Sequence, residues 1–307
     1  MDLSSLSVAL RDRVVPRGPL YDPRRVARTP HVALQGGSDP LVASFSYSDG
    51  AVGIELRSSR ELPAERLERA LDAARGLMAL DDDPTEFVEM ARAHPLLRRW
   101  IRDRDPRMTR VPTVFEAFAE AVLGQLVTSQ EARASQRRLW KHAGLLVPGT
   151  ALLAAPTARA VADLPAWKLR EIGVGSKRAT TLRAGARRGD ALERLRAREP
   201  EDAMRALESM PGVGPWTSNG VAASAFGYAD AVPLGDLWSP SVVTAALGGG
   251  TGGTDETMLA VLAPFRPHRA RVVRLIEANG GPREVASDGP PPRKPRVDKH
   301  RRMPWRY

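Results

Sequence analysis

Cysteine is missing from all 307 residues. Its absence excludes disulfides, zinc–thiolate sites and iron–sulfur clusters together, and suits a reducing compartment. Lysine is scarce: Lys141, Lys168, Lys177, Lys294 and Lys299 stand among 46 basic residues, so the formal charge of +10 rests on arginine. Such an arginine excess follows either from a GC-rich gene or from a polyanionic partner, since clustered positive charge supplies the salt-sensitive part of nucleic-acid binding. Long apolar runs are also missing, and nothing approaches the roughly 18 residues of a membrane span. The opening MDLSSLSVALRDRVVPRGP carries acids and arginines where a signal peptide needs an apolar run. The expectation is a cytoplasmic, soluble protein with no membrane partner.

What is present can bury a core. Hydrophobic residues make up 42% of the chain, enough for two domains or three. Residues 21–60 read as strand-rich, and LVASFSYSDGAVGIELRS places two alternating runs around Asp49-Gly50, a hairpin signal. From Pro63 the period becomes helical, with Leu62, Leu67, Leu71 and Leu77 in step. PTEFVEMARAHPLLRRWIRD continues it, with a break at Pro95.

Helical pattern dominates from about 108 to 278. TVFEAFAEAVLGQLVTSQEARASQRRLWKHAG predicts a helix pair breaking near Gly124. Two shorter helices flank Gly173-Val174-Gly175, and RPHRARVVRLIEANG closes with a glycine stop. The expected class is α+β: a small mixed α/β N-terminal domain (1–107), an all-α domain (108–280) and a basic Pro/Arg-rich tail (281–307).

One stretch carries chemistry: SMPGVGPWTSNGVAASAFGYADAVPLGDLW, residues 209–238. A helix over Glu201–Ser209 is stopped by Pro-Gly-Val-Gly, and Pro215 restarts another at a position where its missing N–H costs nothing. The amides of Gly212 to Trp216 then sit near a helix N-terminus, where dipole and N–H groups hold an anion. The alternative is an ordinary helix–helix corner. Downstream, Asp236 reads either as an N-cap for the helix PSVVTAALG or as a free acid, because Ser239-Pro240 offers that helix its own start. A free carboxylate there could stabilise positive charge developing at a sugar C1′, or orient water against it.

MPGVGPWTSNGVAASAFGYADAVPLGD resembles the signature of the helix-hairpin-helix/GPD superfamily of DNA glycosylases. FEAFAEAVLGQLVTSQEA and LREIGVGSKRATTLRAGA resemble the helix pairs of its 3-methyladenine DNA glycosylase II branch. LAPFRPHRARVVRLI resembles the closing helix, and DKHRRM is similar to the end of actinobacterial members. The resemblance runs in order over about 108–278. It implies a double-stranded DNA partner containing damaged bases, action as a monomer and no cofactor, and it admits a monovalent cation at hairpin carbonyls.

Residue by residue, the resemblance makes Asp236 the catalytic acid. Pro211, Gly212, Val213, Gly214 and Thr217 become the DNA-phosphate hairpin, and Leu126 the wedge that fills a vacated base stack. Leu126 reads equally as a core leucine, and Gln125 as a base contact or a cap. Base-pocket candidates are Trp216, Gly220, Trp238, Phe265, His268 and Gln125, with Tyr228 as a further wall. Gly220 and His268 stand where the branch often has aromatics, and Trp238 and His268 read equally as surface or core. Bifunctional members use a lysine after the hairpin. Trp216 holds that position here and no lysine lies between Arg178 and Arg293, which implies a monofunctional enzyme.

The implied activity is release of alkylated purines such as 3-methyladenine and 7-methylguanine in base excision repair. Alternatives are a glycosylase for deaminated, etheno or oxidised purines, and a non-catalytic damaged-DNA binder. Arg133, Arg137 and Arg138, and Arg293, Lys294, Arg296, Lys299, Arg301, Arg302 and Arg306 of the tail, read either as phosphate contacts or as solvated charge.

Overall fold

Period-two alternation builds the first layer. Strands Leu41–Ser48 (β3) and Ala51–Arg57 (β4) pair antiparallel, with Ser48 opposite Ala51 and Val42 opposite Arg57. That register fits the hairpin read at Asp49-Gly50. In this computed structural model the described residues are 9–13, 31–34, 39–48, 51–102, 105–250 and 252–279, so that turn and the basic tail lie outside them. Ala9–Arg13 (β1) and His31–Leu34 (β2) complete an antiparallel sheet ordered β1-β4-β3-β2. Leu41, Ala43 and Phe45, and Val52, Ile54 and Leu56, share one face of the pleat. They are buried against helix Ala64–Leu77 (α1), whose Ala70 and Ala74 complete the core with Met78.

The rest is helical. Thr85–Ala93 (α2) is separated by His94 from Pro95–Trp100 (α3), where the proline takes the first helical position. Val114–Gly124 (α4) is capped by Thr113. Ser129–Ala143 (α5) opens on a capping box, Thr128 with Glu131, that the run Thr-Ser-Gln-Glu encodes. A short ribbon, Leu145–Leu146 (β5) with Leu153–Ala154 (β6), leads to Ala158–Ala162 (α6), Ala166–Glu171 (α7), Ser176–Ala186 (α8) and Gly189–Glu193 (α9). Then come Pro200–Glu208 (α10), Pro215–Ala225 (α11), Ser239–Ala246 (α12), Asp255–Leu262 (α13) and Arg269–Asn279 (α14). The class is α+β, a mainly helical chain with a small antiparallel sheet.

Among the described residues these helices bury, besides a smaller cluster around Met108, Ala222, Ala231 and Ala270, two large cores. Phe118, Val122, Leu139, Leu169, Leu182, Leu207 and Val221 form one. The other joins Phe87, Ala91 and Leu97 of α2 and α3 to Val243, Met258, Leu262, Val272 and Ile276 of α12–α14. The core under the sheet takes in α1 and Met78, whereas α2 and α3 pack with the C-terminal helices. Periodicity locates a helix but not the core its apolar stripe enters. The buried Arg271 fastens this arrangement. It donates to both Asp82 oxygens (2.5 and 2.7 Å) and to the Pro106 carbonyl (2.9 Å). The chain leaves the second core after α3, builds the first, and returns through residues 226–238. A cleft opens where it returns.

Candidate active site and nucleic-acid interface

The hairpin between α10 and α11 forms as its residues require. Gly212 sits at φ +84°, and a Cβ there would fall 2.1 Å from Thr181 Oγ1; only glycine fits both limits. Val213 N–H returns to the Met210 carbonyl (3.1 Å), and Gly214 caps α11 with Pro215 at its first position. A Cβ on Gly214 would meet nothing, so this glycine faces open space. Pro211 and Gly212 are exposed. Val213 and Thr217 are buried, so those two serve the hairpin from behind instead of offering side chains to a ligand.

Gln125 locks the hairpin to the α4–α5 loop. Its Nε2 donates to the Gly212 carbonyl and to Thr217 Oγ1, both at 2.9 Å. Gln125 is also the C-cap residue of α4, its own N–H returning to the Val122 carbonyl at 3.3 Å, which is the cap alternative that the sequence left open. The next residue, Leu126, is 97% exposed at φ +53°. The core-leucine reading is therefore excluded. A large apolar side chain stands clear of the surface beside the hairpin, in a backbone conformation that leucine rarely adopts.

The turn before α12 places Asp236. Buried Asn219 on α11 accepts the Val232 N–H at 2.9 Å, pinning the returning chain. Gly235, at φ +77°, reverses it. Asp236 Oδ1 then accepts from the amides of Trp238 (2.9 Å) and Ser239 (2.8 Å) and from the Ser239 hydroxyl (2.9 Å). Oδ2 accepts the Trp216 indole N–H at 2.9 Å. Ser239 does not cap α12, contrary to the sequence expectation; it is the first helical residue and donates to Asp236. One carboxylate oxygen thus does the cap's work while the acid remains at the cleft, and four donors hold its anion in one geometry.

A cavity of about 220 Å³ opens beside it. Ala117, Glu120 and Ala121 of α4 form one wall, and Trp216, Gly220 and Ser224 of α11 another. Pro233, Asp236 and Ser239 with Glu277 of α14 complete it. A Cβ on Gly124 would approach the Trp216 ring to 3.0 Å, so the missing side chain there lets the indole lie close over the end of α4. Of the predicted pocket residues, Trp216 and Gly220 line the cavity.

The others do not. Phe265 packs in the second core, edge-on to His94. His268 is buried between Phe87 and the Arg271 network, with Nε2 3.1 Å from Glu86 Oε2. Tyr228 pairs with Glu201, and Trp238 lies at the N-cap of α12, outside the lining. Sequence alone counts aromatics near the acid and cannot tell which face of the return loop they occupy.

The sequence reading missed two acids. Glu120 sits one helical turn before Gly124, and Gln136 Nε2 donates to its Oε1. Loss of water around it raises its pKa above the ordinary carboxylate value, partly offset by that hydrogen bond. Glu277 stands at the cavity mouth, still reached by solvent though crowded by protein; desolvation chiefly, and then Asp236, raise its pKa. Glu116, one turn further along α4, is pushed to about 8 by burial and by Glu120 and Glu193. The available signal was Glu116 and Glu120 at helical spacing on an otherwise apolar stretch.

Arginines divide by neighbour. Arg133 and Arg137 of α5 are exposed. Arg138 donates to the Ile172 carbonyl (3.3 Å), and Arg178 to those of Leu123 (2.7 Å) and Gly173 (3.1 Å), so both brace loops on the hairpin side. Among the described residues no cluster of His, Asp and Glu is arranged to hold a metal ion. No helix among them is long and apolar enough to cross a membrane.

No family model matches the chain. It is 28% identical over 189 residues to a DNA-3-methyladenine glycosylase of Bacillus subtilis, an alignment covering 59% of this chain and 62% of that protein. Among solved structures it is similar to a 3-methyladenine DNA glycosylase from Archaeoglobus fulgidus (TM-score 0.70, 19% identity, 87% of this chain and 97% of that one). It is also similar to the Clostridium acetobutylicum 8-oxoguanine glycosylase/lyase in complex with double-stranded DNA (TM-score 0.59, 15% identity, 80% and 87%). A third is the Schizosaccharomyces pombe 3-methyladenine DNA glycosylase in complex with abasic DNA (TM-score 0.52, 18% identity, 62% and 94%). At these identities the likeness is one of fold.

Proposed function

From the helix-hairpin-helix DNA glycosylase fold that this chain has, we propose that it is a monofunctional DNA glycosylase hydrolysing the N-glycosidic bond of a flipped, alkylated purine. The observation that carries the reading is the placement of Asp236. Four donors hold its carboxyl in one geometry at the edge of a base-sized cavity, while Gln125 ties the loop of the projecting Leu126 to the hairpin.

Each part has a physical role. The amides at the start of α11 take a backbone phosphate, with Gly214 permitting close approach. Such a contact fixes register on any duplex and reads no sequence. Leu126 enters the stack as the damaged nucleotide leaves, repaying part of an unstacking cost of a few kcal/mol. The base enters beside the Trp216 ring. As the glycosidic bond lengthens, Asp236 faces the positive charge growing at C1′ and orients the attacking water. Alkylation that leaves a positive charge on the base weakens the same bond.

Among the described residues the lining includes no lysine, and Trp216 occupies the position from which an amine would form a Schiff base, which supports hydrolysis without a lyase step. A monovalent cation at the hairpin would rest on backbone carbonyls such as those of Gly212 and Val213, and would supply only electrostatic attraction for phosphate.

The test is single-turnover base release from duplexes carrying 7-methylguanine, 3-methyladenine, 1,N6-ethenoadenine, hypoxanthine, uracil or 8-oxoguanine, with Asp236→Asn alongside. Release of methylpurines, reduced about 10²–10³-fold or more in the variant, is expected for loss of one charge at the reacting centre. Equal rates in both proteins would overturn the assignment of the acid. Tight binding with no release from any duplex would favour a non-catalytic damage binder.

A further inference from the structure

The cavity is electrostatically one-sided. Glu120, Asp236 and Glu277 reach it from α4, the return turn and α14, and among the described residues no lysine or arginine lines it. Glu120 is partly buried and loss of water raises its pKa, with no cation among the causes; a carboxylate so placed is costly, and a ligand's positive charge would offset that cost. Among the described residues the three carboxylates are not grouped so as to hold a metal ion. The aromatic component is small, because among the described residues Trp216 is the only aromatic ring in the lining. Stacking between two rings is not what this cavity is built for.

The three acids differ in availability. Asp236 is engaged by four donors, and Glu277 still meets solvent at the mouth. Glu120 lies on the wall opposite Gly220, whose Cβ, if it had one, would approach only Ala121, at 3.7 Å. Gln136, from the neighbouring helix, holds Oε1 and sets the carboxyl plane. Among the described residues nothing donates to Oε2.

We propose that Glu120 is a specificity residue: its carboxylate pairs with the positive charge or N–H edge of a flipped cationic base, so that such bases are released in preference to neutral ones. This rests on the glycosylase reading above. Burial makes the Glu120 anion costly, and Gln136 offsets that only in part. An arriving cation relieves that cost, whereas a neutral base leaves it in place.

The experiment compares wild type, Glu120→Gln and Glu120→Asp in single-turnover release of cationic 7-methylguanine and neutral hypoxanthine and 1,N6-ethenoadenine. Affinity for a duplex with a tetrahydrofuran abasic analogue is read in the same samples. Removing one charge within contact distance should lower the cationic-to-neutral rate ratio at least about tenfold in Glu120→Gln. Glu120→Asp, which keeps the charge, should keep the preference. If wild type releases only the cationic base, the Glu120→Gln rate on it must fall at least tenfold further than abasic affinity does. A ratio that does not move, or a preference lost in Glu120→Asp, overturns the role of Glu120 alone. A wild type that releases no base, like Asp236→Asn, takes down the glycosylase reading as well.

Discussion

The Trp216 indole N–H donates to Asp236 Oδ2 at 2.9 Å across 20 residues of sequence. The bond joins the first turn of α11 to the turn before α12, so the ring that walls the cavity also orients the acid. Trp216→Phe keeps a ring and removes the donor. A hydrogen bond to a charged group is worth about 1.5–3 kcal/mol, so the rate of base release should fall roughly 10- to 100-fold. Single-turnover kinetics at saturating enzyme isolate this from DNA binding. A rate within twofold of wild type would mean the bond does not position the acid.

The two hairpin glycines should separate stability from binding. Gly212→Ala must hold φ near +84° and meet Thr181 Oγ1, and should lose about 1–3 kcal/mol in denaturant unfolding. Gly214→Asp faces open space and should unfold like wild type. It should nonetheless weaken binding to damaged and undamaged duplexes alike, because a carboxylate repels the phosphate. Loss of affinity for one sequence only would contradict a phosphate contact.

Leu126→Ala should leave stability within about 0.5 kcal/mol, as expected of an exposed position. Base release from duplex DNA should drop about tenfold, while release from the same lesion in a single strand should not change. Unstacking is a cost of the duplex only. Equal losses on both substrates would exclude the wedge.

Glu116 predicts a pH dependence. Its folded pKa of about 8 lies above its ordinary value of 4.5, so between these values the folded state holds a proton that the unfolded state has released. Stability attributable to this group therefore falls as pH rises from about 4.5 to about 8 and is level above. Glu116→Gln removes the effect. The variant should gain on wild type as pH rises through that window, by an amount on the order of a few kcal/mol at most, since the side chain is partly exposed and water screens it. Parallel stability curves from pH 5 to 8.5 would show that burial does not perturb this carboxyl.

The sequence by itself determined the local elements. Alternation in LVASFSYS and AVGIELR encoded paired strands, Thr-Ser-Gln-Glu a capping box, and Pro-Gly-Val-Gly-Pro a stop and restart between two helices. Each signal acts over a few residues of backbone, and so is legible without the rest of the chain. Leu126, Gly212 and Asp236 were legible as candidates because their signature is equally local. Only the tertiary structure decided which core α2 and α3 enter, that Phe265 and His268 turn away from the cavity, and that Gln125 binds the Gly212 carbonyl. It also decided that Asp236 caps α12 while facing the cleft, and that Glu120 and Glu277, 157 positions apart in the sequence, line the same cavity. The reason is physical. Spacing fixes which face of a helix a side chain occupies, but what that face meets depends on how the two cores close around the returning chain.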